Sequence, residues 1–509
     1  MQILKLNGHN LTLENIEEVA RHFRLVELSE EAVKNVERSR EIVNKKTQED
    51  KLCYSINTGF GDLCDVRIEP KDLKQLQINL LRSHAVGVGD LLPEEVIRAM
   101  MVIRINTLVQ GNSGVRLELV QLLIDILNKR IHPCVPCQGS VGASGDLAPL
   151  AHMALPLIGE GEVIYEGVKM NGAEALNKAG LKPLELESKE GLALINGTSV
   201  MCGVGVLALL DAERLVKMAD ISGAMNLEAL KGTDSFLRAE IHQMRPHPGQ
   251  IVSAKNMRTL IEGSGILAKY RDVGKIQDCY SIRCIPQVHG ASRDTFNYVR
   301  KVLEIEVNSV TDNPLVVLET EEILSGGNFH GQPVAFAMDY LAIALAEVAN
   351  IAQSRVSRLI NSRYSDLPAF LIKNSGLNSG FMVAQYTMAA LVSENKVLCH
   401  PASVDSIPTC AGQEDHVSMG TIAARKARNI AANVMNVIAI EFLAAAQGLD
   451  FAAPLGSSKP LEAVHKLIRE FVPTLVEDRR LDVDIAKVTD LMRKGEIIGA
   501  VEGIVGRLG

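Results

Sequence analysis

The sequence of 509 residues contains no tryptophan, and aromatic residues make up only 4% of it. Strand-rich sandwiches and barrels depend on aromatic and β-branched residues, so this shortage disfavours them. Alanine, leucine, isoleucine, valine and methionine are abundant instead, and hydrophobic residues reach 47%. Because this balance suits close packing of helices, we predict a mainly α protein.

The sequence also lacks a basic cluster. Its formal net charge is −8, and its lysine and arginine residues are scattered along the chain. A nucleic-acid partner requires a positively charged surface that neutralises phosphates. We therefore expect no nucleic-acid partner.

No stretch of the sequence is typical of a secretory signal or a membrane span. The first residues contain no apolar run with a small-residue cleavage site, so we expect no signal peptide. The most apolar stretch is Leu192 to Leu210, but Asn196, Thr198 and Ser199 would leave polar groups unsatisfied in lipid. We predict a buried core helix there and expect no membrane partner.

The nine cysteines are odd in number and widely spaced. This pattern predicts reduced thiols in a reducing compartment, and therefore a cytoplasmic protein. Cys134 and Cys137 have the spacing of a redox or zinc motif, but no second pair follows to complete a tetrahedral site. We interpret these two thiols as coincidental and predict no metal site.

Long helical patterns dominate the second part of the sequence. Apolar residues at helical spacing predict helices at about 193–230, 288–310, 333–362, 380–398 and 416–448. Such broadly apolar helices bury more than one face, which predicts a bundle of long antiparallel helices that also self-associates. We predict one catalytic unit with two regions. Residues 1–192 form a smaller mixed N-terminal region that carries the active-site loops, and residues 193–509 form the bundle and a terminal helical piece.

The N-terminal region has weaker patterns. Residues 3–6 and 11–13 flank an Asn-Gly pair and predict a small hairpin. Residues 94–130 have helical spacing interrupted by a Gly-Asn-Ser-Gly sequence, which predicts a break in the helix. A second strand pair is predicted at 162–165 and 168–170.

The most unusual local sequence is the string GSVGASGDLAP at 139–149. It predicts a glycine-rich loop that leads into a helix, with Ser144 or Asp146 as N-cap and Pro149 in the first turn. Such a loop can bind phosphate at the start of a helix, but the spacing fits neither GxxxxGK[ST] nor GxGxxG. The GxSxG spacing of a nucleophile elbow is also absent.

The longer string GSVGASGDLAPLAHMAL resembles the signature of the aromatic amino acid ammonia-lyases, and within them the histidine ammonia-lyases. In that family the Ala-Ser-Gly backbone cyclises and loses water, which gives a 4-methylidene-imidazol-5-one electrophile. The resemblance implies that this group forms autocatalytically from Ala143, Ser144 and Gly145, that Asp146 assists the cyclisation, and that no dissociable cofactor is needed. The residue types suit this chemistry, because Gly145 has no side chain to hinder its nitrogen and Ser144 has a hydroxyl to eliminate. A helix that begins directly afterwards would direct its positive end toward the ring.

Further blocks of the sequence share the resemblance and imply other catalytic and binding residues. The block YSINTGFG implies that Tyr54 takes the β-proton or is a partner in that step, and a role as base requires stabilisation of the phenolate of a group whose ordinary pKa is about 10. The block LINGT implies that Asn196 contacts the electrophile and the substrate amine. The block QDCYSIR implies that Arg283 pairs with the substrate carboxylate and that Tyr280 and Gln277 lie beside the electrophile.

Two more blocks have less specific implications. The block NFHGQP implies that Phe329 lines the site, while both a catalytic and a supporting role stay open for His330. For the block VTDNP, which contains Asp312, the resemblance implies only a turn or a supporting role.

Two positions favour histidine as the substrate. His84 follows a serine, as in the histidine lyases, and Glu414 lies in the block QEDHVSM, where tyrosine and phenylalanine lyases carry Gln. A carboxylate and a polar ring suit an imidazole, whose nitrogens would otherwise stay unpaired at a cost of about 1–3 kcal/mol each. Ser199 departs from the Gln of most histidine lyases and favours a tyrosine lyase.

The predicted reaction is the elimination of ammonia from L-histidine to give trans-urocanate. The resemblance implies that a homotetramer carries it out. One alternative is a tyrosine or phenylalanine ammonia-lyase or aminomutase on the same scaffold. A second alternative is a non-catalytic helical scaffold protein.

Overall fold

The computed structural model of the chain describes residues 2–47, 52–271 and 276–509. The helices of these residues are α1 Leu13–His22, α2 Glu30–Thr47, α3 Leu73–His84, α4 Glu94–Leu108, α5 Leu117–Asn128, α6 Leu147–Ala154, α7 Gly172–Lys178, α8 Glu190–Ile195, α9 Ser199–Ala229, α10 Ala239–Met244, α11 Pro248–Ile261, α12 Gly265–Tyr270, α13 Tyr280–Arg283, α14 Ile285–Glu306, α15 Gln332–Leu359, α16 Ser362–Ser365, α17 Met382–Leu398, α18 Gly420–Asp450, α19 Lys459–Phe471, α20 Leu481–Arg493 and α21 Glu496–Val505. The strands are β1 Leu4–Leu6, β2 Val26–Leu28, β3 Val88–Leu91, β4 His132–Pro133, β5 Pro136–Gln138, β6 Glu162–Tyr165, β7 Val168–Asn171, β8 Leu315–Val317 and β9 Glu322–Leu324.

The predicted mainly α fold is confirmed. Each long helical pattern corresponds to a helix of the structure, and α9 and α18 are 31 residues long. Every residue from 192 to 210 is buried, which confirms the prediction of a core helix there. Helices α15 and α18 are long and apolar enough to cross a membrane, but 67% and 78% of their most apolar windows are buried, as is typical of core helices.

The hairpin predicted at the N-terminus is wrong. Thr12 caps a helix, because its side chain accepts a hydrogen bond from the backbone N–H of Asn15 at 3.1 Å, and α1 begins at Leu13. The strand β1 therefore pairs in parallel with β2, which follows α1, and Leu4 lies opposite Val26. The N-cap hydrogen bond of Thr12 therefore favours a helix over the strand that the alternating apolar residues predict.

The other predictions for this region are confirmed. The strands β6 and β7 form an antiparallel hairpin in which Tyr165 lies opposite Val168. The helical pattern at 94–130 is divided into α4 and α5, with the Gly-Asn-Ser-Gly sequence between them.

The chain folds into two compact units, each assembled from three segments. The first unit contains Met1–Ala208, Arg300–Asp339 and Pro401–Arg425, and the second contains Leu209–Val299, Tyr340–His400 and Lys426–Gly509. The division at residue 192 that the sequence predicts stays a prediction.

Helix α4 lies in the core of the first unit and packs against α1 and α5. Nearly all its side chains are buried, including those of Arg98 and Arg104. Arg98 donates to the backbone oxygens of Val19 and Leu127 at 2.9 and 2.8 Å, and its guanidinium lies over the ring of Phe23. A buried guanidinium needs such partners because its charge cannot be removed near neutral pH.

The second unit contains a buried polar network of its own. The carboxylate of Asp220 accepts from His289 and from Arg293, both at 2.7 Å. Arg355 and Glu441 form a second, fully buried ion pair, with Nε and Oε1 at 2.5 Å. The free-energy cost of burying these charges is offset by the hydrogen bonds that both partners of each ion pair make.

Candidate active site

Three helices have their first turns in the first unit, around the loop 139–146. Helix α6 follows it directly, α9 begins after Gly197, and α18 begins after Met419. The N–H of Met419 donates to the oxygen of Val141 at 2.8 Å, and Gly145 and Gly197 form a parallel backbone bridge. The positive ends of three helix dipoles therefore lie near the loop, where they favour electron-rich groups.

The backbone at Gly145 admits only glycine. Its φ is +74°, and a Cβ at this position would lie 2.1 Å from the oxygen of Gly197. The N–H of Gly197 donates to the oxygen of Ser144 at 3.1 Å, and the N–H of Asp146 donates to the oxygen of Gly197 at 2.7 Å. The segment 144–146 is thus held in a tight turn against 197, with its amide groups ordered.

Asp146 is fully buried and occupies the N-cap position of α6, as predicted, but its side chain does not cap that helix. Its Oδ2 accepts from the N–H groups of Val200 and Met201, both at 2.9 Å, so the carboxylate caps α9 instead. Its Oδ1 accepts from the hydroxyls of Thr421 and Ser140. Burial raises the pKa of Asp146 to about 6, although these hydrogen bonds oppose the shift. The carboxyl group therefore changes charge near neutral pH, as a proton-transfer group requires.

The hydroxyl of Ser144 donates to Oε1 of Glu414 at 2.8 Å. Oε2 of the same carboxylate accepts from the hydroxyl of Thr409 at 2.6 Å. The structure therefore brings Glu414, predicted from the substrate side, into direct contact with the serine of the predicted electrophile.

Tyr54 lies in a half-buried loop, and its hydroxyl oxygen accepts from the N–H of Gly61 at 3.2 Å. Burial raises the pKa of Tyr54, and the neighbouring Cys410 and Glu414 raise it further, whereas the hydrogen bond from Gly61 opposes the shift. Within the described part of the chain, the surroundings of Tyr54 therefore favour its neutral phenol over the phenolate.

His84 is the last residue of α3 and is half-buried. Its Nδ1 lies 3.0 Å from the hydroxyl of Ser83. Burial lowers the pKa of His84, while the hydrogen bond to Leu80 and the charge of Glu414 raise it. The ring is therefore neutral near pH 7 and offers one nitrogen as a donor and the other as an acceptor.

Asn196 ends α8 and is almost fully buried. Its Nδ2 donates to Oδ1 of Asp312 at 3.2 Å and to the oxygen of Asn313 at 3.1 Å. Its Oδ1 is buried and accepts no hydrogen bond from the described residues. A buried acceptor without a hydrogen-bond partner can accept a hydrogen bond from a donor group of a ligand.

Phe329 is half-buried in the turn that precedes α15. The next residue, His330, stacks on His416 with the ring centroids 5.7 Å apart, and its Nε2 lies 3.3 Å from the oxygen of His416. This contact supports a structural role for His330, since it connects the Phe329 turn to the segment that carries Glu414.

Three predicted residues lie in the second unit. Gln277 is exposed and precedes the short helix α13, and Tyr280 is 71% exposed and begins that helix. The guanidinium of Arg283 lies over the ring of Tyr280, 4.6 Å from its centroid. Their membership of one site with the residues of the first unit stays a prediction.

Several residues that hold the loop, Glu414 or Asn196 in place are not predicted from the sequence. They are the hydroxyl residues Ser140, Thr409, Ser418 and Thr421, and the charged residues Arg104 and Lys189. Ser418 lies in the QEDHVSM block and donates to the oxygen of Gly142 at 3.0 Å, so the resemblance was a usable signal for it. Isolated hydroxyl residues such as Thr421 carry no such signal, because their partners come from distant positions of the chain.

No cluster that could hold a metal ion occurs among the residues that the structure describes. The group that these residues fit is one made from the loop itself. Gly145 lies in a turn with a φ of +74° where a side chain has no room, and Ser144 has its hydroxyl beside a carboxylate.

Comparison with known proteins agrees with this geometry. A family model for aromatic amino acid lyases matches residues 11–470. The chain therefore belongs to the aromatic amino acid lyase family, which confirms the resemblance found in the sequence.

The most informative relatives are named histidine ammonia-lyases. The chain is 52% identical to the histidine ammonia-lyase of Caldanaerobacter subterraneus subsp. tengcongensis over 497 residues, which is 98% of each chain. Among solved structures it is similar to histidine ammonia-lyase from Trypanosoma cruzi, with a TM-score of 0.92, 43% identity, and coverage of 99% of this chain and 95% of that one. It is also similar to tyrosine aminomutase from Streptomyces globisporus, with a TM-score of 0.94, 41% identity and coverage of 99% of each chain.

Proposed function

We propose that this protein is a lyase that eliminates ammonia from L-histidine to give trans-urocanate. The observation that carries the proposal is the contact between Ser144 and Glu414, with His84 within electrostatic range of the same carboxylate. A carboxylate and a neutral imidazole can pair with both nitrogens of a substrate imidazole. Relatives that are about 50% identical over nearly their whole length carry the name histidine ammonia-lyase, which supports this substrate.

The electrophile of the reaction is proposed to be a 4-methylidene-imidazol-5-one made from Ala143, Ser144 and Gly145. Such a group supplies an electron-poor methylidene carbon that withdraws electron density from the substrate. The turn at Gly145 and the three helix starts around the loop fit it, because positive helix ends favour a ring that accepts electrons. Loss of the Ser144 hydroxyl would also leave Oε1 of Glu414 without its present donor, and so available to the substrate ring.

Asp146 is the proposed assistant in cyclisation. Its pKa of about 6 lets the carboxyl group exchange a proton near neutral pH. The hydrogen bonds that its carboxylate accepts from Val200 and Met201 fix its position next to Gly145, whose amide nitrogen must be deprotonated.

The remaining residues have proposed roles in binding and proton transfer. Asn196 accepts from the α-amino group, and Phe329 lines the side-chain pocket. Tyr54 receives the β-proton, and because burial raises its pKa, positive charge that arrives with the substrate has to stabilise the phenolate together with Gly61.

In the second unit, Arg283 is proposed to pair with the substrate carboxylate. Tyr280 and Gln277 are proposed to flank the electrophile. The guanidinium of Arg283 lies with its face over the ring of Tyr280, and this leaves the N–H donors at its edge for a carboxylate.

A substrate panel tests the reaction. Purified protein is incubated separately with L-histidine, L-tyrosine and L-phenylalanine, and the formation of urocanate or of a cinnamate-type product is followed by absorbance. We expect urocanate from histidine and no comparable rate with the other two. A preference for tyrosine would instead support the aminomutase or tyrosine lyase alternative, to which the solved structure of tyrosine aminomutase gives weight.

The Ser144→Ala variant tests the electrophile and separates an enzyme from a scaffold. It should fold with an unchanged circular dichroism spectrum and lose activity by at least about 10³-fold. Intact mass spectrometry should show that the wild-type protein lacks the mass of two water molecules relative to its sequence, while the variant does not. Active wild-type protein with a full peptide mass would contradict the proposal.

We also propose a cytoplasmic homotetramer. Nine cysteines, all present as thiols, suit a reducing compartment. In the second unit, Tyr298 and Tyr340 are exposed with their rings 5.8 Å apart, and Ile343 is exposed as well. An aromatic and apolar surface of this kind is typical of a protein interface, and sedimentation velocity would determine the assembly.

A further inference from the structure

A buried ion pair lies next to the proposed site and has no place in the roles given above. Nζ of Lys189 lies 2.8 Å from Oδ2 of Asp312, and both side chains are fully buried. Lys189 is a non-glycine residue with a φ of +74°, immediately before α8. Burial lowers the pKa of Lys189, and the carboxylate of Asp312 opposes that shift. Since burying two charges is costly, their position calls for a physical reason.

The ion pair determines how the amide of Asn196 is oriented. Both hydrogens of its Nδ2 are used, one by Oδ1 of Asp312 and the other by the oxygen of Asn313. A flipped amide would direct its own oxygen at two acceptors and lose both hydrogen bonds. An ionised carboxylate only accepts, so it specifies one orientation, whereas a neutral acid or amide at position 312 would both donate and accept.

The backbone of Asn196 is held separately. Nη1 of Arg104 donates to the oxygen of Asn196 at 2.7 Å and to the oxygen of Thr311 at 3.3 Å. Arg104 is fully buried, and the next residue, Gly197, donates to the oxygen of Ser144. The position of Asn196 is therefore tied to the loop 139–146, and only its Oδ1 remains for a ligand.

We propose that Lys189 and Asp312 are positioning residues that hold the Asn196 amide with its oxygen toward the α-amino group of the substrate. The inference rests on the proposed function, because the amine is that of L-histidine. An ammonium group only donates hydrogen bonds. An amide turned the other way would direct its own N–H donors at those of the ammonium group, and no hydrogen bond could form. The pair thus selects for an amine at this place while it contacts neither the substrate nor the electrophile.

A double-mutant cycle tests this proposal. The variant Lys189→Met/Asp312→Asn removes both charges together, so neither is left buried without its partner. We expect kcat/KM for L-histidine to fall by about 100-fold, as for a misplaced catalytic group. Made in an Asn196→Ala background, the same change should cost less than about 3-fold, because the group it positions is gone.

Product affinity provides a readout without turnover. Urocanate lacks the α-amino group, so its affinity, measured by calorimetry, should stay within about 2-fold in Lys189→Met/Asp312→Asn. A matched control is Arg355→Met/Glu441→Gln, which removes another fully buried ion pair. The control should lower the melting temperature but change kcat/KM by less than about 3-fold.

The outcomes are distinct. Additive losses in the cycle, or an equal loss of urocanate affinity, would assign the pair to general stability and overturn the proposal. Should the double variant not fold, Asp312→Glu keeps the charge but moves the carboxylate, and it should lower kcat/KM without loss of the fold. Failure of both variants to fold would also overturn it. A wild-type protein that makes no urocanate would refute the proposed function itself. That result differs from all the outcomes above, which concern only the variants.

Discussion

Two regions predicted to serve the same substrate differ sharply in how the chain holds them. The loop 139–146 is buried, its amides and hydroxyls are hydrogen-bonded, and three helices begin around it. In the segment 277–283, Asp278 is buried and accepts from Thr233, but the residues with predicted roles are more open: Gln277 and Tyr280 are exposed, and Arg283 stacks on that tyrosine.

The difference corresponds to two kinds of chemistry. Closing a ring from three consecutive residues requires that backbone atoms approach one another, so the loop must be rigid before any substrate arrives. Pairing with a carboxylate requires only a long cation that becomes ordered when the substrate binds. Substitutions in the loop should therefore change maturation and stability, whereas substitution of Arg283 should change substrate binding alone.

The largest effect is expected for Gly145→Ala. The added methyl group would lie 2.1 Å from the oxygen of Gly197, at a φ of +74°. The turn must shift, ring closure should fail, and activity should fall by at least about 10³-fold. Intact mass spectrometry should show the full peptide mass instead of the loss of two waters.

Gly180→Ala is the matched control for this variant. Gly180 has a φ of +71°, but a Cβ there would meet no atom within 4 Å. The substitution should cost about 1–2 kcal/mol of stability and leave maturation intact. Equal effects of the two variants would show that backbone conformation matters and the close approach to Gly197 does not.

The sequence predicted the loop better than its surroundings. Ala143, Ser144 and Gly145 are adjacent, so their geometry follows from local residue types. The cap of Asp146 was assigned to the wrong helix, because the N–H groups it accepts from belong to α9, more than fifty residues along the chain. Thr421 contributes from still farther away, and no local pattern in the sequence could indicate its contact.

The short range of sequence patterns also explains why the long helices are predicted correctly and the N-terminal hairpin is not. Long apolar patterns at helical spacing predict α9 and α18 because burial on several faces leaves a strong signal. Leu4–Leu6 pairs with Val26–Leu28 across an intervening helix, and three-residue strands leave almost no signal. The orientation of the Asn196 amide likewise depends on Lys189 and Asp312, which are distant in sequence.

The second-largest effect is expected in the pH dependence of stability caused by Asp146. Burial raises its pKa to about 6 from an ordinary value of 3.8, which corresponds to about 3 kcal/mol. Because the folded-state pKa is the higher one, this stabilisation is present below about pH 4 and is lost as the pH rises through 6. The free energy of unfolding of the wild-type protein, relative to Asp146→Asn, should therefore fall by up to about 3 kcal/mol between pH 4 and 7.

Chemical denaturation at several pH values would measure this difference. The difference between the two proteins is the relevant quantity, since other carboxylates also titrate and some contribute in the opposite sense. Burial alone would raise the pKa of Asp220, for example, but Arg293 and His289 outweigh it and lower the pKa, so the stabilisation from Asp220 is lost only in strong acid. A wild-type minus variant curve that is flat or rises with pH would contradict the environment assigned to Asp146.

Glu414→Gln should have a smaller effect, and on activity rather than on the loop. The amide can still accept from the hydroxyl of Ser144, so the turn and the loss of two waters should persist. It cannot supply a charge to the substrate imidazole, and kcat/KM for histidine should fall by about 10²-fold. A mature mass together with low activity would assign Glu414 to the substrate, whereas an immature mass would assign it to ring formation.

The smallest effect in this comparison is expected for Arg283→Met. The loss of a carboxylate partner should raise the KM for histidine by about 10-fold or more, since charge-assisted hydrogen bonds contribute about 1.5–3 kcal/mol. The mass of the mature protein and its melting temperature should not change, because Arg283 stacks on the exposed ring of Tyr280. Arg358 provides the matched control, since its guanidinium lies 4.3 Å from the ring centroid of Tyr364, and Arg358→Met should leave the KM unchanged. If Arg283→Met impaired maturation, the exposed segment and the buried loop would be coupled, and the separation between a preformed electrophile and a substrate-ordered cation would no longer hold.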